Sequence, residues 1–162
     1  QTRMLIVQAE HYANKFENSS PVLGVAVGET RYLIPMSEVS EVIDMSKVAA
    51  VPLTQSWFLG LTNIRGNLYG VTDLGAYLGD GATLFNLKSR ILLTSLDKKL
   101  SGGFVVDSML GIREQSEFTL LEENKKMKET MRRQYRDTEE RIWEELSLFA
   151  LMREEKFLQI AL

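Results

Sequence analysis

Large apolar residues alternate with small or polar ones through most of the chain from residue 22 onward, and this pattern predicts short strands. In Val22–Gly28, the side chains of Leu23, Val25 and Val27 alternate with Gly24 and Ala26, giving one large face and one small one. Gly28-Glu29-Thr30 reads as a tight turn and Tyr32-Leu33-Ile34 as the returning strand, which Pro35 ends or places at an edge. Ser37-Glu38 opens a short element through Val39, Val42 and Ile43, and Val48–Val51 reads as a further strand closed by Pro52. Trp57 to Leu74 is an apolar, strand-like run interrupted by Asn63-Ile64-Arg65-Gly66. Ile91–Thr94 and Gly103–Val106 flank a polar connection at Asp97-Lys98-Lys99, and Met109, Leu110 and Ile112 follow. The second half therefore repeats the layout of the first. Many short strands with Gly-rich turns predict two small barrels that share one apolar seam. Residues 80–89 connect them, so the subdomains fall at about 21–85 and 86–162.

Elsewhere the period changes. Leu5, Ala9, Tyr12 and Phe16 form one stripe of a 3.6-residue repeat and predict a helix over 3–17, within an N-terminal extension 1–20. The polar run Glu17 to Ser20, with Pro21, ends it. Residues 121–135 are rich in Glu, Lys, Met and Arg without Gly or Pro, and propensity favours a solvated helix or an ordered excursion. Propensity alone also makes 140–147 helical. The chain closes as helix from Leu148 to Leu162, with Leu148, Leu151, Met152, Leu158 and Leu162 available to pack on a barrel.

Composition narrows the function classes. A chain of 162 residues buries roughly 68–70% of its unfolded surface and needs no disulfide or metal to fold. It has no cysteine, which excludes disulfides and thiolate metal sites and fits a reducing compartment. Lys plus Arg is 19 against 22 Asp plus Glu, a net charge of −3, which argues against nucleic acid as the main partner. No apolar run approaches the ~20 residues of a membrane span, so no direct membrane insertion is expected. Gln1 in place of an initiator Met leads us to expect further sequence upstream.

Catalysis has little to work with. His11 is the single histidine and sits on the predicted N-terminal helix. Ser101-Gly102-Gly103 lacks the surroundings of a nucleophile elbow, and the glycines at 66, 70, 75, 79 and 81 are spaced too widely to cradle a phosphate. Asp73 and Asp107 each end an apolar run, where a carboxylate that caps the following turn or helix is the better reading than an acid–base pair. We expect no enzyme, no cofactor and no metal. Val39, Val42, Ile43, Trp57, Phe58 and Tyr69 are a large apolar allotment for a small barrel, and a few of them are candidates for a docking patch.

Arg65 is the residue that a plain buried strand does not explain. It stands where another aliphatic residue is expected, and Gly66 lets the backbone turn beside it. Two readings stay open: a structural arginine that ties the subdomains through carbonyls or a carboxylate such as Asp73, and a residue that contacts a partner.

The series Val51-Pro52, Trp57-Phe58-x-Gly60, Asn63-x-Arg65-Gly66 and Asp73-Leu74, followed by Gly103-x-x-Val106-Asp107, resembles the signature of CheW-like domains. Arg65 to Tyr69, Trp143 to Leu146 and Phe157 to Ala161 resemble the branch that serves chemosensory control of type IV pili and twitching motility. The sequence departs from the common pattern at Gly70, at Leu110-Gly111 and over 121–135. The resemblance implies a mainly β fold of two SH3-like five-stranded barrels with helices at both ends, and a final barrel strand at 140–147 with Trp143 near its middle. It implies a non-catalytic adaptor, cytoplasmic and recruited to membrane receptor arrays. Its partners would be the regulatory domain of a CheA-type histidine kinase and the cytoplasmic tip of a methyl-accepting chemoreceptor. Carried over by position, Val39 and Glu41 would lie near the kinase face. Gly60, Asn63, Arg65 and Gly66 would lie near the groove or seam between barrels, with Gly103 and Val106 lining the second barrel beside it. The alternative is a regulatory barrel cut from a larger histidine kinase or a receiver-linked coupling protein.

Overall fold

The computed structural model describes residues 20–97, 100–121 and 132–162. The helix expected over 3–17 with His11, the pair Lys98-Lys99 and most of the charged stretch 121–135 lie outside these residues.

The period-two pattern resolves into eleven strands: β1 (Pro21–Val27), β2 (Thr30–Pro35), β3 (Glu41–Asp44), β4 (Phe58–Ile64), β5 (Asn67–Asp73), β6 (Arg90–Asp97), β7 (Leu100–Val106), β8 (Ser108–Glu114), β9 (Thr119–Leu120), β10 (Gln134–Arg136) and β11 (Ile142–Glu145). Among the described residues three short α-helices accompany them: α1 (Leu74–Leu78), α2 (Leu148–Met152) and α3 (Glu155–Leu158). The strands form two sheets. The first is six-stranded in the order β8-β1-β2-β11-β10-β9, and the second is five-stranded in the order β3-β6-β7-β5-β4. All pairings are antiparallel except β11 on β2 and β5 on β7. The first sheet thus draws strands from residues 21–35 and 108–145, and the second from 41–106.

Because side chains alternate across a strand, each sheet has two apolar faces to bury. Val71, Ile91, Leu93 and Val105 face into the second sheet's own small core. Val22, Leu33, Phe118, Tyr135 and Trp143 fill that of the first. The opposite faces meet in a larger common core. There Leu23, Val25, Val27 and Ile34 pack with Leu92, Phe104, Val106, Trp57 and the helix residues Leu148, Leu151, Met152 and Phe157. Each such side chain contributes about 1.5–3 kcal/mol by leaving water. The mainly β class and an apolar core shared by two sheets are as expected, but the first sheet has six strands where five were expected, and the second sheet runs from Glu41 to Val106 across the division expected near residue 85.

Several elements differ from the sequence reading. Val48–Val51 is not a strand; it touches β4 through one isolated bridge, Ala49 to Leu61. The run Trp57 to Leu74 is a hairpin, β4 and β5, with Arg65-Gly66 as its turn. Residues 134–136 are strand and not helix, because pairing with β11 and β9 overrides propensity. Residues 142–145 are the strand that the family pattern implied. The closing helix is two short ones, and Ala161 beyond them bridges to Thr54.

Candidate functional site

Arg65 and Gly66 form a two-residue hairpin turn. Ile64 pairs with Asn67 across it, and φ is +50° at Arg65 and +86° at Gly66. Positive φ at both central positions is the requirement of a type I′ turn, whose twist matches the flanking strands. The Asn63 side-chain oxygen accepts the Gly66 N–H at 2.9 Å, which accounts for the Asn-x-Arg-Gly spacing. Arg65 therefore projects from an exposed tip, with its side chain 67% exposed, and not from a buried strand. Of the two places expected for it, the groove or the seam between barrels, this exposure does not fit a buried seam. The turn also carries it away from Asp73.

The carboxylate that Arg65 meets is Glu41. The guanidinium donates to both oxygens, Nη1 to Oε2 at 3.1 Å and Nη2 to Oε1 at 2.5 Å. The hydrogen bond from Arg65 holds the Glu41 carboxyl below its ordinary value, and Glu41 in turn raises Arg65. Glu41 opens β3, and β3 and β4 are the two ends of the five-stranded order. Their meeting shows that the sheet curls until its ends approach. Residues 46–49 bridge the remaining gap. Ala49 N–H donates to Leu61 O at 2.8 Å and Leu61 N–H to Ala49 O at 2.9 Å. Thr62 Oγ1 donates to Lys47 O at 2.9 Å and lies 3.0 Å from Ser46 Oγ. Gly60 sits at this closure with φ +136°, and a Cβ there would lie 2.1 Å from Ala49 O.

The structure thus brings Glu41, Asn63, Arg65 and Gly66 together at one exposed end of the second sheet. Val39, half-buried, packs against the common core two residues before Glu41. Gly60 is buried at the closure point. Gly103 and Val106 are buried as well: a Cβ on Gly103 would lie 2.8 Å from Ile91 Cγ2, and Val106 belongs to the common core. Neither offers a side chain to a partner; each shapes the sheet that carries the exposed residues.

Of the six apolar candidates for a patch, Trp57 is buried and Val42 alone is exposed. Three residues that the sequence reading missed, Leu84, Phe85 and Leu87, are 86%, 50% and 98% exposed. They sit on a loop fastened at its root by the buried Asp73. That carboxylate caps α1 through Ala76 N at 3.3 Å and accepts from Thr83 N at 2.9 Å and Thr83 Oγ1 at 2.5 Å. The capping reading of Asp73 therefore holds. Asp107 accepts from Gly28 N at 2.8 Å and serves a turn.

Among the described residues no group of three or more His, Asp or Glu side chains is placed to hold a metal ion. A cavity of about 890 Å³ opens beside Pro21, Val22, Phe118, Leu120 and Tyr135 on the first sheet. None of the candidate residues lines it. Among the described residues no helix is long and apolar enough to cross a membrane. The exposed arginine–carboxylate fork on a rigid hairpin has the chemistry of recognition.

Comparison with known proteins gives consistent matches. A family profile described as the CheW-like domain matches residues 21–156. Protein PilI of Pseudomonas aeruginosa is 29% identical over 92 residues, covering 56% of this chain and 51% of that protein. Protein FrzA of Myxococcus xanthus is 31% identical over 87 residues, 54% of each chain. Chemotaxis protein CheW of Helicobacter pylori is 28% identical over 95 residues, 57% of this chain and 58% of that one. The matched region spans about half the length of these curated relatives. Among solved structures, the scaffolding protein TtCheW from Thermoanaerobacter tengcongensis superposes with a TM-score of 0.70 at 18% identity, over 85% of this chain and 90% of that one. That likeness is one of fold.

Proposed function

The chain belongs to the CheW-like family, and from that premise we propose that it is a non-catalytic coupling adaptor. In this reading it links methyl-accepting chemoreceptors to a CheA-type histidine kinase, in a pathway that controls type IV pili and twitching motility. It works in the cytoplasm, held at membrane receptor arrays by its partners. The similarity to PilI and FrzA favours the motility branch.

The observation that carries the proposal is the Arg65–Glu41 fork. It joins the hairpin tip to the strand that begins just after Val39 and holds both side chains in one geometry. Glu41 occupies two of the guanidinium N–H groups, and the others remain for a partner. A surface prepared in this way loses less side-chain entropy on binding. Val39, Glu41, Asn63, Arg65 and Gly66 form the docking surface; Gly60, Gly103 and Val106 set the sheet beneath it.

Titration of the full chain against a cognate kinase regulatory domain and a receptor-tip fragment tests the reading. Wild-type protein binds both, and Arg65→Ala weakens at least one about tenfold, the loss typical of one charged interface contact. Folded protein that binds neither defeats the proposal. Arg65→Ala that binds like wild type removes Arg65 from the surface.

A further inference from the structure

Glu38 is absent from the docking surface just described, yet it governs the segment from which two of that surface's residues are presented. The chain leaves the first sheet at Pro35 and enters the second at Glu41. The crossing, Met36 to Ser40, holds a short 3-10 turn over Met36–Glu38 with no side-chain cap of its own. Its anchorage comes from elsewhere. The Glu38 carboxylate accepts from Leu148 N at 2.7 Å, Ser147 Oγ at 2.8 Å and Phe149 N at 3.4 Å. These groups begin α2, whose residues Leu148, Leu151 and Met152 are fixed in the common core. The backbone carbonyl of Glu38 also accepts from Thr94 Oγ1 at 2.5 Å. Two residues on, Ser40 N and Ser40 Oγ both donate to Leu93 O, at 2.8 and 3.0 Å. Val39 lies between these two anchors and Glu41 just past them.

We propose that Glu38 is a positioning residue for partner binding, a carboxylate latch from the inter-sheet crossing to the start of α2 that fixes where Val39 and Glu41 stand. The inference rests on the docking surface proposed above. Its content is mechanical. Three bonds converge on one carboxylate, and the helix end that supplies them cannot shift without disturbing the common core. Removing the carboxylate frees the crossing on its α2 side, so that Val39 and the approach of Glu41 to Arg65 are held from the β6 side alone. A carboxylate at a helix start also stabilises that helix. That purely structural role makes a different prediction.

The discriminating comparison is Glu38→Ala against Ser147→Ala. Ser147 caps α2 itself, accepting from Ala150 N at 3.1 Å. Its replacement weakens the helix start and removes one of the three bonds to Glu38, but leaves Leu148 N and Phe149 N on the carboxylate. If Glu38 serves only the helix, both variants bind partner alike. If it positions the crossing, Glu38→Ala binds the kinase regulatory domain about fivefold more weakly than Ser147→Ala, the loss of one cap-strength interaction in binding terms. Glu38→Gln, which keeps an acceptor oxygen, restores most of the affinity. Glu38→Asp, which keeps the charge but withdraws it by one methylene, gives a second, milder loss should the alanine variant fold poorly.

A second measurement uses the free chain. Amide exchange at Ser40 accelerates strongly in Glu38→Ala and much less in Ser147→Ala, which keeps two of the three bonds. Equal binding by the two variants, or an unchanged Ser40 amide in Glu38→Ala, overturns the inference. Wild-type protein that binds no partner defeats the docking reading instead, and the exchange measurement still decides whether Glu38 holds the crossing.

Discussion

Gly60→Ala is the substitution for which the geometry allows a worked magnitude. At φ +136° the backbone occupies a region that L-residues rarely adopt. The added Cβ would lie 2.1 Å from Ala49 O, 2.7 Å from Ala49 C and 2.9 Å from Ala50 Cα. All three are backbone atoms, so no side chain can rotate away. The bridging segment must retreat from β4. It then gives up the two Ala49–Leu61 hydrogen bonds and the bond from Thr62 Oγ1 to Lys47 O. At about 1 kcal/mol each these are worth about 3 kcal/mol. Forcing alanine into the strained region adds about 1–3 kcal/mol. The sum, about 4–6 kcal/mol, is a large part of a total stability of about 5–15 kcal/mol. Gly66→Ala is the matched control. It also has positive φ, at +86°, but a Cβ there would meet nothing within 4 Å. Only the conformational cost applies, about 1–2 kcal/mol. Urea unfolding followed by the fluorescence of Trp57 and Trp143, with linear extrapolation, measures both. Equal destabilisation by the two variants, or a loss below about 1 kcal/mol for Gly60→Ala, refutes the assignment of Gly60 to the closure of the sheet.

Three further outcomes follow from two buried carboxylates, Asp137 and Asp73. Asp137, whose side chain is 4% exposed, accepts from Trp143 Nε1, Arg141 Nε and Arg141 N at 2.9 Å and from Glu139 N at 2.8 Å. Burial pushes this carboxyl up, but the bonds from Trp143, Arg141 and Glu139 outweigh it and hold it well below the usual carboxylate range. A carboxyl depressed in the folded state contributes stability above its unfolded value of about 4 and loses it as pH falls below that. Unfolding free energies between pH 5 and 2 should therefore fall less steeply in Asp137→Asn than in wild type; parallel slopes count against the assignment. Asp137→Ala, which leaves a buried indole N–H without its acceptor, should cost about 3–5 kcal/mol in the same denaturation assay. Thr83→Val removes the hydroxyl that donates to Asp73 and should cost about 1–2 kcal/mol. Faster limited proteolysis within residues 80–89 checks it, and an unchanged cleavage rate refutes the view that Asp73 fastens that loop.

Strands β1, β2, β6 and β7 were legible because their pattern is local. Leu23, Val25 and Val27 declare a face by alternation, and so do Ile91 and Leu93. Asp73 was legible as a cap for the same reason: its acceptors serve residues just ahead of it. The turn at Arg65-Gly66 was present as a signal and misread. Two residues between alternating runs, the second of them Gly, specify a hairpin, whereas the apolar residues on both sides of Arg65 give the run the look of one continuous buried strand. Its partner could not be read at all. Glu41 lies on the opposite end of the sheet, and only the curl of five strands brings the two together. Glu38 gives no local sign either, since its partners lie near the far end of the chain. Residues 134–136 look helical by composition and become strand through pairing with β9 and β11. Gly103 and Val106 were marked by motif, which does not distinguish a residue that touches a partner from one that fills the core beneath.

The parallel pairing of β11 with β2 sets an order on synthesis. All strands of the second sheet lie between Glu41 and Val106, so that sheet is complete as soon as this stretch has left the ribosome. The first sheet is not: β2 waits for a neighbour about a hundred residues downstream, and until then the β1–β2 hairpin keeps an unpaired edge. Over the same interval Leu92 and Phe104 lack the part of the common core supplied by Leu148, Leu151, Met152 and Phe157. Distant pairing of this kind slows folding and leaves the nascent chain prone to aggregate. A truncated product that stops before Ile142 meets the cell's quality control with its adhesive faces uncovered.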